Sequence, residues 1–232
     1  MAPELSAPVA PEAPWRAGVR GARANLWPGI ALQIGALALV IAYYRHTPTR
    51  EALEHLAVWR THLGLVYSIV STALFAGAIP VLYLWANPAT RSTYNVKQAV
   101  WLVGFWAYKG VEIDLWYRLL AHVIGEGTDA RTIIIKTFLD QCVYCPIFAV
   151  PLTMFGYEFA ALGLDFRAFV ADVRAGSWYR RRVLPPLIAN LGIWLPAVCI
   201  IYALPTPLQL PLQNLVMCFF TLILVHVTRR HG

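Results

Sequence analysis

The sequence predicts an all-α, multi-pass transmembrane bundle of about six spans with one interfacial amphipathic helix. Three observations carry that expectation. Of 232 residues, 59% are hydrophobic and only 13% are charged, against about 45–50% and about 25% in soluble domains. Residues 24–44, 61–90, 141–157 and 183–228 contain no Asp, Glu, Lys or Arg, and a membrane helix needs about 20 mostly apolar residues. No segment shows the alternation over about ten residues that marks a membrane β-barrel. The same composition excludes disorder for most of the chain, and 15 Gly with four Cys exclude a collagen or disulfide scaffold.

Taken in order, residues 1–25 are rich in Pro and Ala and are expected to be disordered, with a single membrane domain over 26–232. The first span falls at 26–44. Thr47-Pro48 reads as an N-cap with proline at the first helical position, opening a connector helix through about Arg60. The second span is 63–86. The third, 98–120, runs through AVWLVGFWAY and then meets Lys109, Glu112 and Asp114. The fourth, 132–156, carries Lys136 and Asp140. Both charged spans are expected to line the interior of the bundle. Residues 165–182 put Phe166, Phe169, Val170 and Val173 on one helical face, the pattern of an interfacial helix, with Trp178 and Tyr179 at belt positions. Pro205-Thr206-Pro207 divides the last apolar run into spans at 184–204 and 208–227.

With six spans both termini share a side. Twelve basic residues fall on it and five on the other; Lys109 and Lys136 inside the bundle complete the 19. The positive-inside rule then puts the termini in the cytoplasm or the matrix-equivalent compartment, in a bacterial cytoplasmic or an organellar membrane. The net charge of +7 fits anionic lipid; no nucleic-acid motif accompanies it. The expected partners are the lipid bilayer and a second copy of the chain, with no nucleic acid.

Intramembrane charges each carry an insertion cost of about 2.5–3.5 kcal/mol, so they are the most informative residues. The third and fourth spans are joined by the short turn HVIGEGTDA at 122–130 and should pack antiparallel. Residues at equal depth then have numbers with a constant sum: Lys109 with Asp140 sum to 249, Glu112 with Lys136 to 248. Two opposite-charge pairs at matching depth are expected, joined by helical spacing within each span into one neutral network. The network either fixes helix packing or lines a polar path. Pro146 deprives the carbonyl of Cys142 of its helical partner, a kink position. Asn190, Gln209, Gln213 and Asn214 are expected to bond between helices.

Cys142 and Cys145 form a C-x-x-C, but inside a span and not at a helix N-terminus, where a dipole lowers a thiol pKa. Small core hydrophobes are the expectation. The six histidines are scattered, no zinc spacing occurs, and no hydrolase, metalloprotease or nucleotide fingerprint is present. Neither a cofactor, a metal nor an enzyme activity is expected.

Gly110-x5-Trp116-Tyr117-Arg118, a Gly-containing turn, and Lys136-x3-Asp140-Gln141-x4-Pro146 together resemble the Mpv-type family of peroxisomal and mitochondrial inner-membrane proteins. Asn190-x3-Trp194-x-Pro196 and Leu204-Pro205 are similar to later landmarks of that family, although Leu195 separates the Trp and Pro here and Gln209 stands where an Arg is expected. The resemblance covers about residues 100–227. It implies a small multi-helix membrane protein with weakly selective channel activity and no cofactor. It puts the pore-lining role on Lys136, Asp140 and Gln141, and a packing or kink role on Trp116, Tyr117 and Pro146. The expected function is a channel-like passive conduit for small solutes or ions through the polar hairpin. The alternatives are a non-conducting scaffold or assembly factor whose charges only fix packing, and a thiol oxidoreductase using Cys142 and Cys145.

Overall fold

The computed structural model describes residues 13–228. All its regular structure among the described residues is helical. In chain order these are α1 (Pro14–Ala24), α2 (Leu26–Arg45), α3 (Thr47–Leu63), α4 (Leu65–Ala86), α5 (Val96–Ile124), α6 (Ala130–Ala161), α7 (Phe166–Arg174), α8 (Tyr179–Tyr202) and α9 (Thr206–Thr228). Four of them, α2, α4, α6 and α8, are long and apolar enough to cross a membrane. Their outward faces carry exposed apolar side chains such as Ile34, Val70, Phe138 and Phe148.

Local sequence explains the boundaries. At α5, Asn95 accepts from the Gln98 amide while the Gln98 side chain accepts from the Asn95 amide, a reciprocal cap that satisfies two orphan donors. Asp129 caps α6 through the Thr132 amide and hydroxyl. Those bonds, the hydroxyl's first, hold its carboxyl below the ordinary value. Helix α3 starts at Thr47 with His46 as its flanking residue, one position from the expected cap. It turns into α4 at Gly64, whose φ of 55° is the left-handed region that favours glycine.

Two expectations are corrected. The N-terminal segment is not disordered over Pro14–Ala24, which forms a helix lying along α8. Proline in its first turn suits a helix start, and Gly18 permits the approach: a Cβ there would stand 2.7 Å from Cβ of Ile188. Residues 1–12 of the expected disordered segment lie outside the described residues. The amphipathic helix does not run from 165 to 182 either. Asp165 caps it, and it stops at Arg174, because Gly176 and Ser177 both have positive φ. Phe169 turns into the bundle against Phe155 and Phe159, whereas Phe166 is exposed.

Helices α4 and α6 widen into π turns at Ala73–Ala78 and Asp140–Ala149. Each wide stretch lies at or just before a proline, Pro80 or Pro146, whose missing amide breaks the i to i−4 ladder. Antiparallel α4 and α5 meet backbone to backbone at Gly110. A Cβ on that residue would fall onto the Ser68 carbonyl and within 2.9 Å of Cβ of Thr72. Small residues at a helix crossing are how membrane bundles gain van der Waals contact. Gly110→Ala is therefore expected to lose about 1–3 kcal/mol through overpacking, measured as a lower denaturation midpoint in detergent. An unchanged midpoint would mean that α4 and α5 do not touch there.

Candidate functional site

The polar hairpin of α5 and α6 forms, but in a different register from the expected one. Contacts across it join Glu112 to Tyr144 and Trp116 to Asp140, each pair summing to 256. The helices end at Ile124 and begin at Ala130, which centres the hairpin later than the charges alone suggest. Relative to that register, the expected partners are offset by seven or eight residues, about 10–12 Å along the axis. Neither Lys109 with Asp140 nor Glu112 with Lys136 forms an ion pair.

Each charge finds another partner. Lys109 donates to Glu112 one turn later, at 2.8 Å, and the Tyr144 hydroxyl donates to the same carboxylate oxygen at 2.7 Å. Tyr144 stacks on Trp116 with ring centroids 4.4 Å apart. Asp140 accepts from the Tyr202 hydroxyl at 2.7 Å, the Trp116 indole at 3.0 Å and the Gln141 amide at 2.8 Å. Lys136 is buried with its ammonium 5.9 Å from the Tyr202 ring centroid, a cation–π contact in a desolvated place. Asp140 thus links α5, α6 and α8 by hydrogen bonds, without a salt bridge.

A second charged cluster was not anticipated as a site. Asp114, fully buried, is paired with Arg60 of α3 and with Arg118 one turn on, the latter at 2.9 Å. Arg60 also donates to the Thr206 carbonyl at the start of α9. The i, i+4 spacing of Asp114 and Arg118 was a signal in the sequence. The reach of Arg60 from what looked like a surface connector was not. The polar residues of the last helices do bond between helices. Gln213 accepts from Tyr117, and Asn214 bonds Ser71 and Thr72. Gln209 instead caps the Leu204 carbonyl locally.

Above Asp140, towards the bundle end that carries α1 and the 87–95 loop, lies a cavity of about 600 Å³. Its lining runs from Asn25, Thr93 and Tyr94 at that end, past Trp106, Tyr157 and Trp194, to Lys109, Tyr117, Asp140 and Gln141. Burial pushes the Tyr94 phenol up, so this end presents a neutral hydroxyl. Most of the wall is apolar or aromatic. The lining ends at the level of Tyr117 and Asp140; beyond it Tyr202, Leu204 and Leu208 are packed without exposure above 2%.

Of the five expected pore residues, Lys109, Asp140 and Gln141 line the cavity, and Glu112 and Lys136 do not. Trp116 and Tyr117, expected only to pack, line it too. Pro146 sits in the π stretch, its carbonyl accepting from Tyr179. Cys142 faces outward while Cys145 is buried beside Asp140 and lines the cavity. The described residues hold no group of three metal-ligating side chains.

Removing Asp114 would leave the Arg60 guanidinium buried without its countercharge. Asp114→Asn is expected to cost about 3–5 kcal/mol, while Arg118→Ala, at a half-exposed partner, costs at most about 1 kcal/mol. Denaturation in detergent measures both; equal small losses would contradict a buried pair. Compared with known protein families, curated proteins and solved structures, the chain gives no match.

Proposed function

We propose that the chain is an integral membrane protein that acts as a channel-like passive conduit for small solutes. One observation carries this reading: the cavity reaches Lys109, Asp140 and Gln141 at the middle of the bundle from one end. A polar floor in a hydrocarbon-depth interior is costly, and ionisable residues there mark solute pathways more often than packing alone requires. The packed layer below the floor makes this a closed state. Mostly apolar walls disfavour a bare ion, which would lose hydration without fixed replacement, so small uncharged solutes fit better.

The rest of the reading follows from the helices. Helix α5 has 29 residues and an outward stripe of Val100, Tyr108, Leu115 and Leu119, each at least half exposed; Lys109, Glu112 and Asp114 turn inward. We assign α5 and the 23-residue α9 as spans, which makes six. Both termini then share the cytoplasmic or matrix-equivalent face, and the Trp116-Tyr117 and Asp140-Gln141 blocks keep the Mpv-type resemblance as the proposed kinship. The scaffold reading, with or without a second copy of the chain, draws on the complete pairing of Asp140 and Asp114, which needs no solute.

The two readings part on flux. Ala149 lines the cavity inside the π stretch, and Ala149→Trp would obstruct it. Glycerol flux into proteoliposomes is expected above that of empty liposomes for the wild type and at their level for the variant, with thermal melting retained. Equal flux in both would remove the cavity from the path. A wild type no faster than empty liposomes would favour the scaffold.

A further inference from the structure

The shape of the cavity is informative beyond its existence. Its lining on α6 extends from Asp140 to Tyr157, about 25 Å at helical rise. Lining that runs that far along one helix, around a volume of about 600 Å³, makes the cavity elongated and not round. An elongated, apolar-walled space suits an extended aliphatic chain. Its middle is walled by Leu84, Leu102, Trp106, Met154, Ile193 and Trp194.

The floor has polar groups left over. Gln141, 2% exposed, gives its amide N–H to Asp140, so its carbonyl oxygen faces the other way and has no hydrogen-bond partner. The neighbouring carboxylate fixes that orientation, since a flipped amide would set two acceptors together. Lys109 spends one N–H on Glu112 and an ammonium has three. An acceptor wanting a donor therefore stands in the same cavity as a donor wanting an acceptor. A hydroxyl is both at once. No net charge is called for, because Glu112 already balances Lys109.

We infer that the cavity is a binding site for a single-chain aliphatic alcohol, seated with its hydroxyl on Gln141 and Lys109 and its chain along the aromatic wall. The inference rests on the conduit reading insofar as both need the cavity to admit a ligand, and it names the kind of solute admitted.

The 232-residue chain in lipid nanodiscs, irradiated with 1-dodecanol bearing a diazirine at the end of its chain, tests this. Labelling is expected where a chain of that length ends, at Leu102, Thr153 or Met154. Unlabelled 1-dodecanol should compete about tenfold better than dodecane, the difference one satisfied headgroup makes. Gln141→Leu should abolish that preference, and Ala149→Trp should abolish the labelling even if the Gln141 variant does not fold. Labels confined to outward residues such as Val100 and Phe148, or equal competition by dodecane, would overturn the site and leave water as the partner of Gln141. Glycerol flux without alcohol binding would sink this inference alone; alcohol binding without flux would sink the conduit and keep the site.

Discussion

Asp140 sits in the middle of α6, and the cost of burying a carboxyl there organises the molecule around it. A buried carboxyl must be met by donors, and they come from Trp116 on α5, Tyr202 at the end of α8 and the adjacent Gln141. Those bonds set the depth at which three helices meet. They also orient Gln141, stack Trp116 on Tyr144 and bring Tyr144 to Glu112, which holds Lys109. Helix register, the polar floor of the cavity and the packed layer beneath it are consequences of one satisfied group.

The same segment supplies adaptability. Asp140–Ala149 is a π stretch around Pro146, where the regular ladder is already interrupted, and single π turns recur at functional sites. Residues on its inner side, Gln141, Tyr144, Cys145 and Ala149, line the cavity. On the far side, Arg60 and Asp114 lock α3 and α5 to the start of α9 through the Thr206 carbonyl. One end of the bundle is therefore tied by a buried ion pair, while the other opens around an irregular helix.

Much of this was legible in the residues. Charge-free runs located the apolar helices, because a bilayer-length hydrophobic stretch is a strong one-dimensional signal. The charged pair of helices and the choice of Asp140 followed from the cost of burying charge, and the choice of Gln141 from the Mpv-type resemblance. What the sequence did not disclose was three-dimensional. The hairpin register depends on where the turn sits and how the π stretch adds residues, so the pairing of Lys109 with Asp140 failed. Aromatic donors, Trp116 and Tyr202, replaced the expected counterions, and composition does not distinguish a packing tyrosine from a hydrogen-bonding one. Arg60 looked like a surface residue of a connector because its partner, Asp114, lies 54 positions away. The helix at Pro14–Ala24 was hidden by its Pro and Ala content; only its fit against α8 through Gly18 reveals why it forms.

The cavity rises from its polar floor towards the α1 end, and the layer beneath the floor is packed. Membrane-impermeant thiol labelling of Thr153→Cys, in oriented vesicles of a variant whose four native cysteines are replaced, tests that arrangement most directly. Thr153 lines the cavity and Leu204 lies below its floor. Position 153 is expected to react only with reagent added on the side carrying α1, and Leu204→Cys to stay unreactive from both sides. Reaction at 204 from the opposite side, or an inert 153, would contradict it.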